Sequence, residues 1–408
     1  MIKIIIVSTY YDSYIKQFYG QHPELEMKSY AEQKAALDYD GFAWADFWSH
    51  AFRPLGYEVM EVVANIEPLQ RAWARENGIS FPSKTWLLEL PFAQVIKFQP
   101  TILFLNDYVT FSYQWISELK KFCPSIRKVM GYCGPPLNNL EVYKAYDLVL
   151  SCIPEYVEHV RSEGFNSIHL QHCFEPRLLS RLSSARTSNI DLSFVGSIIR
   201  ASSFHFERER ILLALTSQIP LQIYSPNSDV TWKDKLKTMA KAMVYDIMGT
   251  LKRMKVPQSA LASLPKIGKA AQWTERPQSQ VLPRLRPFMR PAIFGLEMFQ
   301  TLRNSKITLN IHGDNSPRFA SNMRLFEATG VGTCLVTDWK ENLGELFIPD
   351  EEVVTYRSVE ECIEKVKWLM DYSKEREAIA KAGQDRTLRD HTFTRRAQQL
   401  DSIIRARL

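Results

Sequence analysis

Residues 322–338 read NMRLFEATGVGTCLVTD, and their pattern indicates the fold class. Its first half predicts a helix that stops at Gly330, because glycine is enriched where helices end. The apolar run 334–336 that follows predicts a buried strand. On this helix, Leu325 and Phe326 are expected to face the core. A helix that leads into a buried strand is the repeating unit of parallel α/β sheets.

Working outward from this unit, the same alternation of strand and helix occurs twice along the chain. The first half has predicted strands at 3–10, 101–106, 128–132 and 148–151, and another within 53–64 after a turn at 55–56. Its predicted helices are at 40–52, 68–77, 91–98, 113–122 and 154–163. The second half has predicted strands at 191–196, 221–224, 307–311, 333–337 and 353–356, with helices at 206–217, 295–304, 323–330 and 359–372. Two further helices are predicted around 374–390 and 395–407.

This order predicts the α/β class, with two doubly wound, Rossmann-like domains that face a central cleft. The predicted domains are 1–175 and 176–390, the second interrupted by an insertion at 228–290. A last helix in 391–408 is expected to pack back toward the first domain. Ligands are expected in the cleft, at the carboxyl ends of the strands.

The composition is that of an ordinary globular protein. The 408 residues are 45% hydrophobic and 24% charged, which predicts two or three domains and excludes a disordered or collagen-like chain. No apolar run approaches the ~20 residues of a membrane helix, and the run 4–7 is too short for a signal peptide. Six scattered cysteines without a Cys-x-x-Cys pair indicate a reducing, cytoplasmic setting and argue against a zinc ribbon.

The charge is concentrated in one segment. Residues 231–290 hold thirteen Lys or Arg and three acids, an excess of +10, whereas the whole chain carries only +6. Apolar residues recur there at three- and four-residue steps, which predicts an amphipathic helix: Trp232, Leu236, Met239, Ala240, Met243, Val244, Ile247, Leu251 and Met254. Such a helix either lies on an anionic membrane surface or packs on its own domain. Binding to nucleic acid is disfavoured, because few aromatic residues are interleaved with the basic ones.

Residues 322–338 also carry candidate binding groups. Arg324 and Glu327 are three residues apart and therefore share one helix face. Free N–H groups at the start of a helix favour an anion, the guanidinium fork of Arg324 suits a phosphate, and Glu327 could accept hydrogen bonds from a ribose diol. The alternative interpretation is an ion pair on a solvated helix face.

This string resembles the donor-binding helix of GT-B glycosyltransferases, and it is most similar to the group-1 family that includes the spore-maturation CgeB-like proteins. Three other strings agree with that family: DLSFVGS at 191–197, ITLNIH at 307–312, and DHTF at 390–393 followed by Arg396. The resemblance covers 176–408 well and 1–175 weakly. It implies the GT-B fold and transfer of a sugar from a nucleotide sugar, with Glu327 holding the ribose.

The resemblance also implies a donor site without an obligatory metal or other cofactor, and a UDP- or GDP-sugar as substrate. The implied donor or nucleotide contacts are Glu327, Arg324, Asn322, Gly196, Ser197, Arg200, Arg208 and His312. Typical retaining members carry a second glutamate eight residues before the first, where this chain has Phe319. Retaining chemistry is therefore expected from the family, but the paired-glutamate pattern is incomplete.

The amino-terminal half is expected to receive the acceptor. In an inverting enzyme the base for the acceptor hydroxyl would be Asp107, which follows a predicted strand, or His50; the alternatives are a capping role for Asp107 and a packed helical histidine. Asp38 and Asp40 form an Asp-x-Asp pair, but they follow a helical stretch, so no metal site is predicted there. The run 169–173 (HLQHC) coincides with the expected interdomain linker and is interpreted as packed linker residues.

The sequence thus predicts a cytoplasmic glycosyltransferase, peripheral on the inner membrane face if the basic segment binds lipid. Its acceptor would be a hydroxyl of a glycan, a lipid-linked glycan or a protein. Two alternatives stay open: a glycosyltransferase-like binding or assembly protein without turnover, which Phe319 motivates, and a sugar-nucleotide epimerase on the same fold.

Overall fold

A computed structural model describes residues 1–134, 136–137, 139–198, 206–229, 232–254, 256–258, 261, 264, 267–273, 277, 282–314 and 316–407. The described residues form two parallel sheets of six strands. The first sheet has the order β2-β1-β3-β4-β5-β6, and the second β12-β11-β10-β7-β8-β9. The first contains β1 (Ile2–Ser8), β2 (Tyr57–Val63), β3 (Ile102–Leu105), β4 (Lys128–Tyr132), β5 (Leu148–Ser151) and β6 (Ser167–His169). The second contains β7 (Ile190–Val195), β8 (Leu221–Tyr224), β9 (Met289–Arg290), β10 (Ser305–Asn310), β11 (Cys334–Asp338) and β12 (Val354–Tyr356).

Helices connect the strands and cover both sheets, as right-handed parallel connections require. In the amino-terminal half they are α1 (Asp12–Gln21), α2 (Tyr30–Asp40), α3 (Phe47–Phe52), α4 (Glu67–Glu76), α5 (Trp86–Phe98), α6 (Tyr113–Phe122) and α7 (Pro154–Ser162). In the carboxyl-terminal half they are α8 (Phe206–Thr216), α9 (Trp232–Arg253), α10 (Gly295–Asn304), α11 (Arg324–Gly330), α12 (Leu343–Leu346), α13 (Val359–Asp371), α14 (Ser373–Asp390) and α15 (Phe393–Arg405).

Buried apolar residues form the central strands of both sheets. In β1, Ile4, Ile5 and Val7 are fully buried, because helices cover both faces of this strand. In β10, Ile307 and Leu309 are buried in the same way, and this strand pairs with β7 on one side and β11 on the other. The two halves thus repeat one architecture, and the predicted α/β fold of two Rossmann-like domains is confirmed.

Backbone hydrogen bonds between Phe174 and the segment 391–393 join the two halves. Phe174 donates its backbone N–H to the carbonyl of His391 (2.8 Å) and accepts one from Phe393 (3.1 Å). From there α15 runs back along the first half, where it packs against α3. The Tyr57 hydroxyl donates to the Asp401 carboxylate at 2.6 Å, which fastens the helix to β2.

Several boundaries differ from the sequence prediction. The helix predicted over 40–52 is divided, because α2 ends at Gly41 in the left-handed conformation (φ 72°) and α3 begins only at Phe47. Strands β6 and β9 were not predicted, since three and two residues give no readable periodicity. Helix α5 begins five residues earlier than predicted, before the internal Pro91.

Helix α9 confirms the periodicity of the basic segment. Ala242 and Met248, which are not among the predicted apolar positions, are buried, and Met248 packs in a small cluster with Leu261, Ala270 and Ala271. Within the described parts of the chain, no helix is long and apolar enough to cross a bilayer.

Candidate functional site

A cavity opens where the strands of the second sheet end. Its volume is about 400 Å³, and it lies between the residues that follow β10, β11 and β12 and the first turn of α8. Its lining includes His312, Asp314, Asp338, Trp339, Lys340 and Arg357. This is the edge at which open α/β sheets bind ligands, because loops from neighbouring strands converge there.

One residue that lines the cavity is His312, whose imidazole contacts the carboxylate of Asp338. His312 follows β10, and its Nδ1 lies 2.7 Å from the Oδ1 of Asp338 at the end of β11. The same oxygen accepts the backbone N–H of His312 at 3.1 Å, and the Lys340 ammonium lies 3.1 Å from the other oxygen. Burial raises the pKa of Asp338, but the charges and hydrogen bonds of His312 and Lys340 outweigh it and hold the pKa well below its usual range.

The second ring nitrogen of His312 is not engaged by Asp338. The side chain is fully buried, and among the described residues its Nε2 has no hydrogen-bond partner. A buried polar atom without a partner is costly, about 1–3 kcal/mol. Because His312 is a cavity-lining residue, this atom is a candidate contact for a polar group of a bound molecule.

One wall of the cavity is a stacked pair. The Arg357 guanidinium lies 3.7 Å from the centre of the Trp339 ring, a cation–π contact. The backbone positions both side chains, since Trp339 donates its N–H to the Tyr356 carbonyl at 2.8 Å. Sequence reasoning missed Trp339, Lys340 and Arg357, although each lies just beyond a predicted strand.

Arg324 and Glu327 form the predicted pair at the start of α11. Their side chains lie 2.8 Å apart with only 16% and 13% exposed, so the pair is not on a solvated face. The Arg324 guanidinium also lies 3.0 Å from the Met298 sulfur. Tyr11, in the loop after β1, lies within electrostatic range of both charges. The pair therefore sits where the two domains face each other.

Asn322 and Arg208 hold the loops around this site. Asn322 Nδ2 donates to the Asn310 side-chain oxygen at 2.9 Å. Arg208 donates to the carbonyls of Ser197 (2.7 Å) and Ile311 (2.6 Å), which ties the end of β7 to the end of β10. Burial lowers the pKa of Arg208 to about 10. Arg208 thus acts on backbone carbonyls.

The predicted glycine loop follows β7 as expected. Gly196 donates its N–H to the Tyr224 carbonyl at 3.0 Å. A Cβ at this position would lie 3.2 Å from the Phe194 ring, so the strand end is closely packed. Ser197 offers its carbonyl to Arg208. Arg200, the other predicted cation, lies outside the described residues.

The acceptor-side candidates occupy different surroundings. Asp107 lies at the carboxyl edge of the first sheet, where its Oδ2 accepts the Thr9 hydroxyl (2.7 Å) and its Oδ1 accepts the N–H groups of Val109 (2.9 Å) and Thr110 (2.8 Å). His50 is exposed on α3, a helix that packs against β2 and α15. The structure therefore places Asp107, and not His50, at a strand end.

The acidic pair Asp38 and Asp40 is engaged in structural contacts. Asp40 accepts the Tyr14 hydroxyl at 2.9 Å and the backbone N–H of Leu296 at 3.3 Å, so it caps α10 from the other domain. Asp38 pairs with Lys34. His172 lies 3.3 Å from the Tyr132 hydroxyl, and burial lowers its pKa to about 3. The described residues contain no group of three metal-capable side chains.

Known proteins resemble the chain in two ways. Residues 208–402 match a family model described as glycosyl transferase-like. No curated protein sequence matches the chain significantly. The carboxyl-terminal half, which carries the cavity and the Arg324–Glu327 pair, is thus similar to glycosyl transferase-like domains.

Solved structures are similar over the whole chain. Sucrose-phosphate synthase from Thermosynechococcus elongatus is 11% identical, with a TM-score of 0.52 over 100% of this chain and 99% of that chain. Anabaena HepE in complex with UDP-glucose is 10% identical, with a TM-score of 0.54 over all of both chains. A glycosyltransferase from Rickettsia africae is 8% identical, with a TM-score of 0.52 over 98% of this chain and 97% of that chain. At such identities the likeness shows the fold, which is GT-B.

Proposed function

We propose that the chain transfers a sugar from a nucleotide-sugar donor, a UDP- or GDP-sugar, to a hydroxyl of a glycan, a lipid-linked glycan or a protein. The glycosyl transferase-like match over 208–402 supports the reaction class. The GT-B fold is shared with Anabaena HepE, whose structures hold UDP-glucose, or UDP and glucose. We extend that donor chemistry to the second domain of this chain.

The observation that carries the proposal is the Arg324–Glu327 pair, which is nearly buried at the face between the domains. A buried ion pair is seldom kept for stability, because desolvation offsets most of its attraction. A ligand with a diol and a diphosphate uses both partners: Glu327 accepts from the ribose hydroxyls, and Arg324 faces the phosphate charge. Asn322 and Arg208 keep the surrounding loops in place.

The cavity at the ends of β10, β11 and β12 would take the sugar end of the donor. His312 Nε2 would hydrogen-bond a sugar hydroxyl, while Asp338 holds the ring in place. The diphosphate would be balanced by Arg324, by Arg200 and by the Ser197 N–H of the Gly196–Ser197 loop, without an obligatory metal. On the acceptor side, Asp107 is the proposed base if the enzyme inverts.

Transfer with retention follows the family resemblance, and anomeric analysis of the product by NMR tests it.

Position 319 favours a second candidate function. Phe319 lies under the Arg318 guanidinium, 5.2 Å from ring centre to cation, where a carboxylate would be expected. A protein that binds the donor without turnover would have this arrangement.

The test is the melting temperature of the protein with UDP, GDP, ADP, CMP and dTDP. A ligand at 100 times its Kd stabilises the folded state by about 2.7 kcal/mol, which is a visible shift. We expect one nucleotide to raise the melting temperature of the wild type, and Glu327→Gln to remove most of that shift. Glu158→Gln is the matched control, because Glu158 forms the same i, i+3 pair with Arg161 on the exposed face of α7.

Four outcomes are distinguishable. A shift together with sugar transfer supports the proposed function. A shift without transfer to any acceptor supports the binding protein, and isomerisation of the donor supports the epimerase. If no nucleotide at millimolar concentration shifts the melting temperature, the proposed donor site is wrong.

A further inference from the structure

Helix α9 presents an apolar stripe to solvent. Leu236, Met239, Met243, Ile247 and Met254 are each between 47% and 70% exposed. At about 100° per residue, these five positions fall within an arc of roughly 80° along the helix. The stripe, named here the α9 stripe, is therefore a continuous apolar surface about 25 Å long, and isolated surface hydrophobics do not account for it.

The five exposed side chains of the stripe are not the ones that α9 buries. The helix packs on its own domain through other positions, where Met248 is buried and joins Leu261 and Ala271. The alternative that the whole apolar periodicity serves internal packing is therefore wrong for these five residues.

Most of the charge on α9 and in the segment after it is positive. Lys237, Lys241, Lys252 and Arg253 are exposed on the same helix, and Arg284, Arg286 and Arg290 are exposed in the segment that follows. The segment 231–290 has only three acids, of which Asp246 lies at the edge of the stripe. Lys237, Lys241 and Lys252 lie on faces other than the stripe, so the helix has an apolar face and a cationic one. Such a helix is complementary to a surface that offers both acyl chains and negative charge.

This complementarity selects the occupant. A second copy of the chain would bring the same positive segment against itself, so charge repulsion opposes a dimer on this face. An anionic bilayer attracts the cations from solution and then buries the apolar side chains at the level of the headgroups. Because α9 carries charged residues along its length, it would lie in the plane of the interface.

We propose that the α9 stripe docks this protein on an anionic lipid surface, with the helix parallel to the membrane plane. The proposal goes beyond the glycosyl-transfer function and does not depend on it.

Flotation with vesicles tests this proposal. We expect the wild type to float with vesicles of phosphatidylcholine and phosphatidylglycerol, but not with phosphatidylcholine alone. The triple variant Met239→Gln/Met243→Gln/Ile247→Gln should bind at least tenfold more weakly. In Lys237→Gln/Lys241→Gln/Lys252→Gln the affinity should fall by about fivefold for each charge removed.

A matched control removes exposed apolar side chains elsewhere. Phe122→Gln/Trp368→Gln/Tyr372→Gln changes three residues that are 65%, 41% and 51% exposed outside the segment, and it should float like the wild type. All of these side chains are exposed, so circular dichroism and the melting temperature should show that each variant is folded.

Two results would overturn the proposal. One is that the wild type does not float with anionic vesicles, or that both α9 variants float as well as it does. The other is sedimentation of the wild type as a dimer that the apolar variant converts to a monomer, because the stripe would then be an interface between copies.

Discussion

The two sheets have the same architecture but differ in what lies at their carboxyl edges. At the first sheet several polar groups pair with one another: Asp107 accepts from Thr9, and the Asn65 amide exchanges hydrogen bonds with both backbone groups of Tyr10 (2.8 and 2.7 Å). The buried Tyr146 hydroxyl, within electrostatic range of Asp107, has no partner among the described residues. At the second sheet, buried polar atoms are also left over. Among the described residues, His312 Nε2 and Arg324 Nε have no hydrogen-bond partner.

The second edge combines such atoms with a cavity of about 400 Å³ and the nearly buried Arg324–Glu327 pair. An unsatisfied buried polar group costs about 1–3 kcal/mol, so these atoms are candidate contacts for a ligand. We therefore expect the donor at the second edge and the acceptor at the first, beside Asp107.

The largest effect should come from breaking the pair at the second edge. Arg324→Met leaves Glu327 nearly buried without its partner. We expect donor affinity to fall by about 150-fold, the upper end for a lost hydrogen bond to a charged group. Titration calorimetry with the nucleotide found in the thermal screen measures this. An affinity within threefold of the wild type would show that the pair does not contact the donor.

A change at the first edge should affect turnover and leave the donor alone. If Asp107 is the acceptor base, Asp107→Asn should lower kcat by about 100-fold. Donor affinity should remain within twofold, because Asp107 belongs to the other sheet. Steady-state kinetics with varied donor separates the two parameters. A large loss of donor affinity would contradict the division between the two edges.

Asp338 should make the second edge sensitive to acid. Its pKa is lowered in the folded protein, so its contribution is fully present above the ordinary carboxyl pKa of about 4 and is lost as the pH falls below it. We expect Asp338→Asn to unfold with about 2 kcal/mol less free energy at pH 7, a difference that shrinks toward pH 3. Urea unfolding from pH 3 to 7 measures both; a difference independent of pH would refute the assignment.

The smallest effect is expected at His50. The side chain is exposed on α3, away from the strand ends. We expect His50→Gln to keep kcat and the donor KM within twofold, and the pH profile of kcat to stay unchanged. A tenfold fall in kcat would restore His50 as the acceptor base in place of Asp107.

Local sequence pattern predicted most of the fold and part of the site. The unit at 322–338 forms α11 and β11 as predicted. Arg324 and Glu327 come together because residues three apart lie on the same face of a helix. The run 232–253 is helical for the same reason. Periodicity does not reveal whether a helix face is covered, so it left the surroundings of α9 open.

Contacts between residues that follow different strands could not be predicted from the sequence. His312 meets Asp338 because β10 pairs with β11 with Asn310 opposite Thr337. Trp339 meets Arg357 because Asp338 lies opposite Tyr356 in the next pair. A shift of two residues in either register would separate these side chains, and a single chain contains no signal for the register of parallel strands.

Hydrogen–deuterium exchange with and without the bound nucleotide distinguishes the two edges. We expect the nucleotide to protect the backbone at 311–314, 324–330 and 338–341, at the edge of the second sheet. Segments 8–11 and 106–110, at the edge of the first sheet, should change much less. Protection confined to the first edge, with none at 324–330, would show that the donor does not bind at the second sheet.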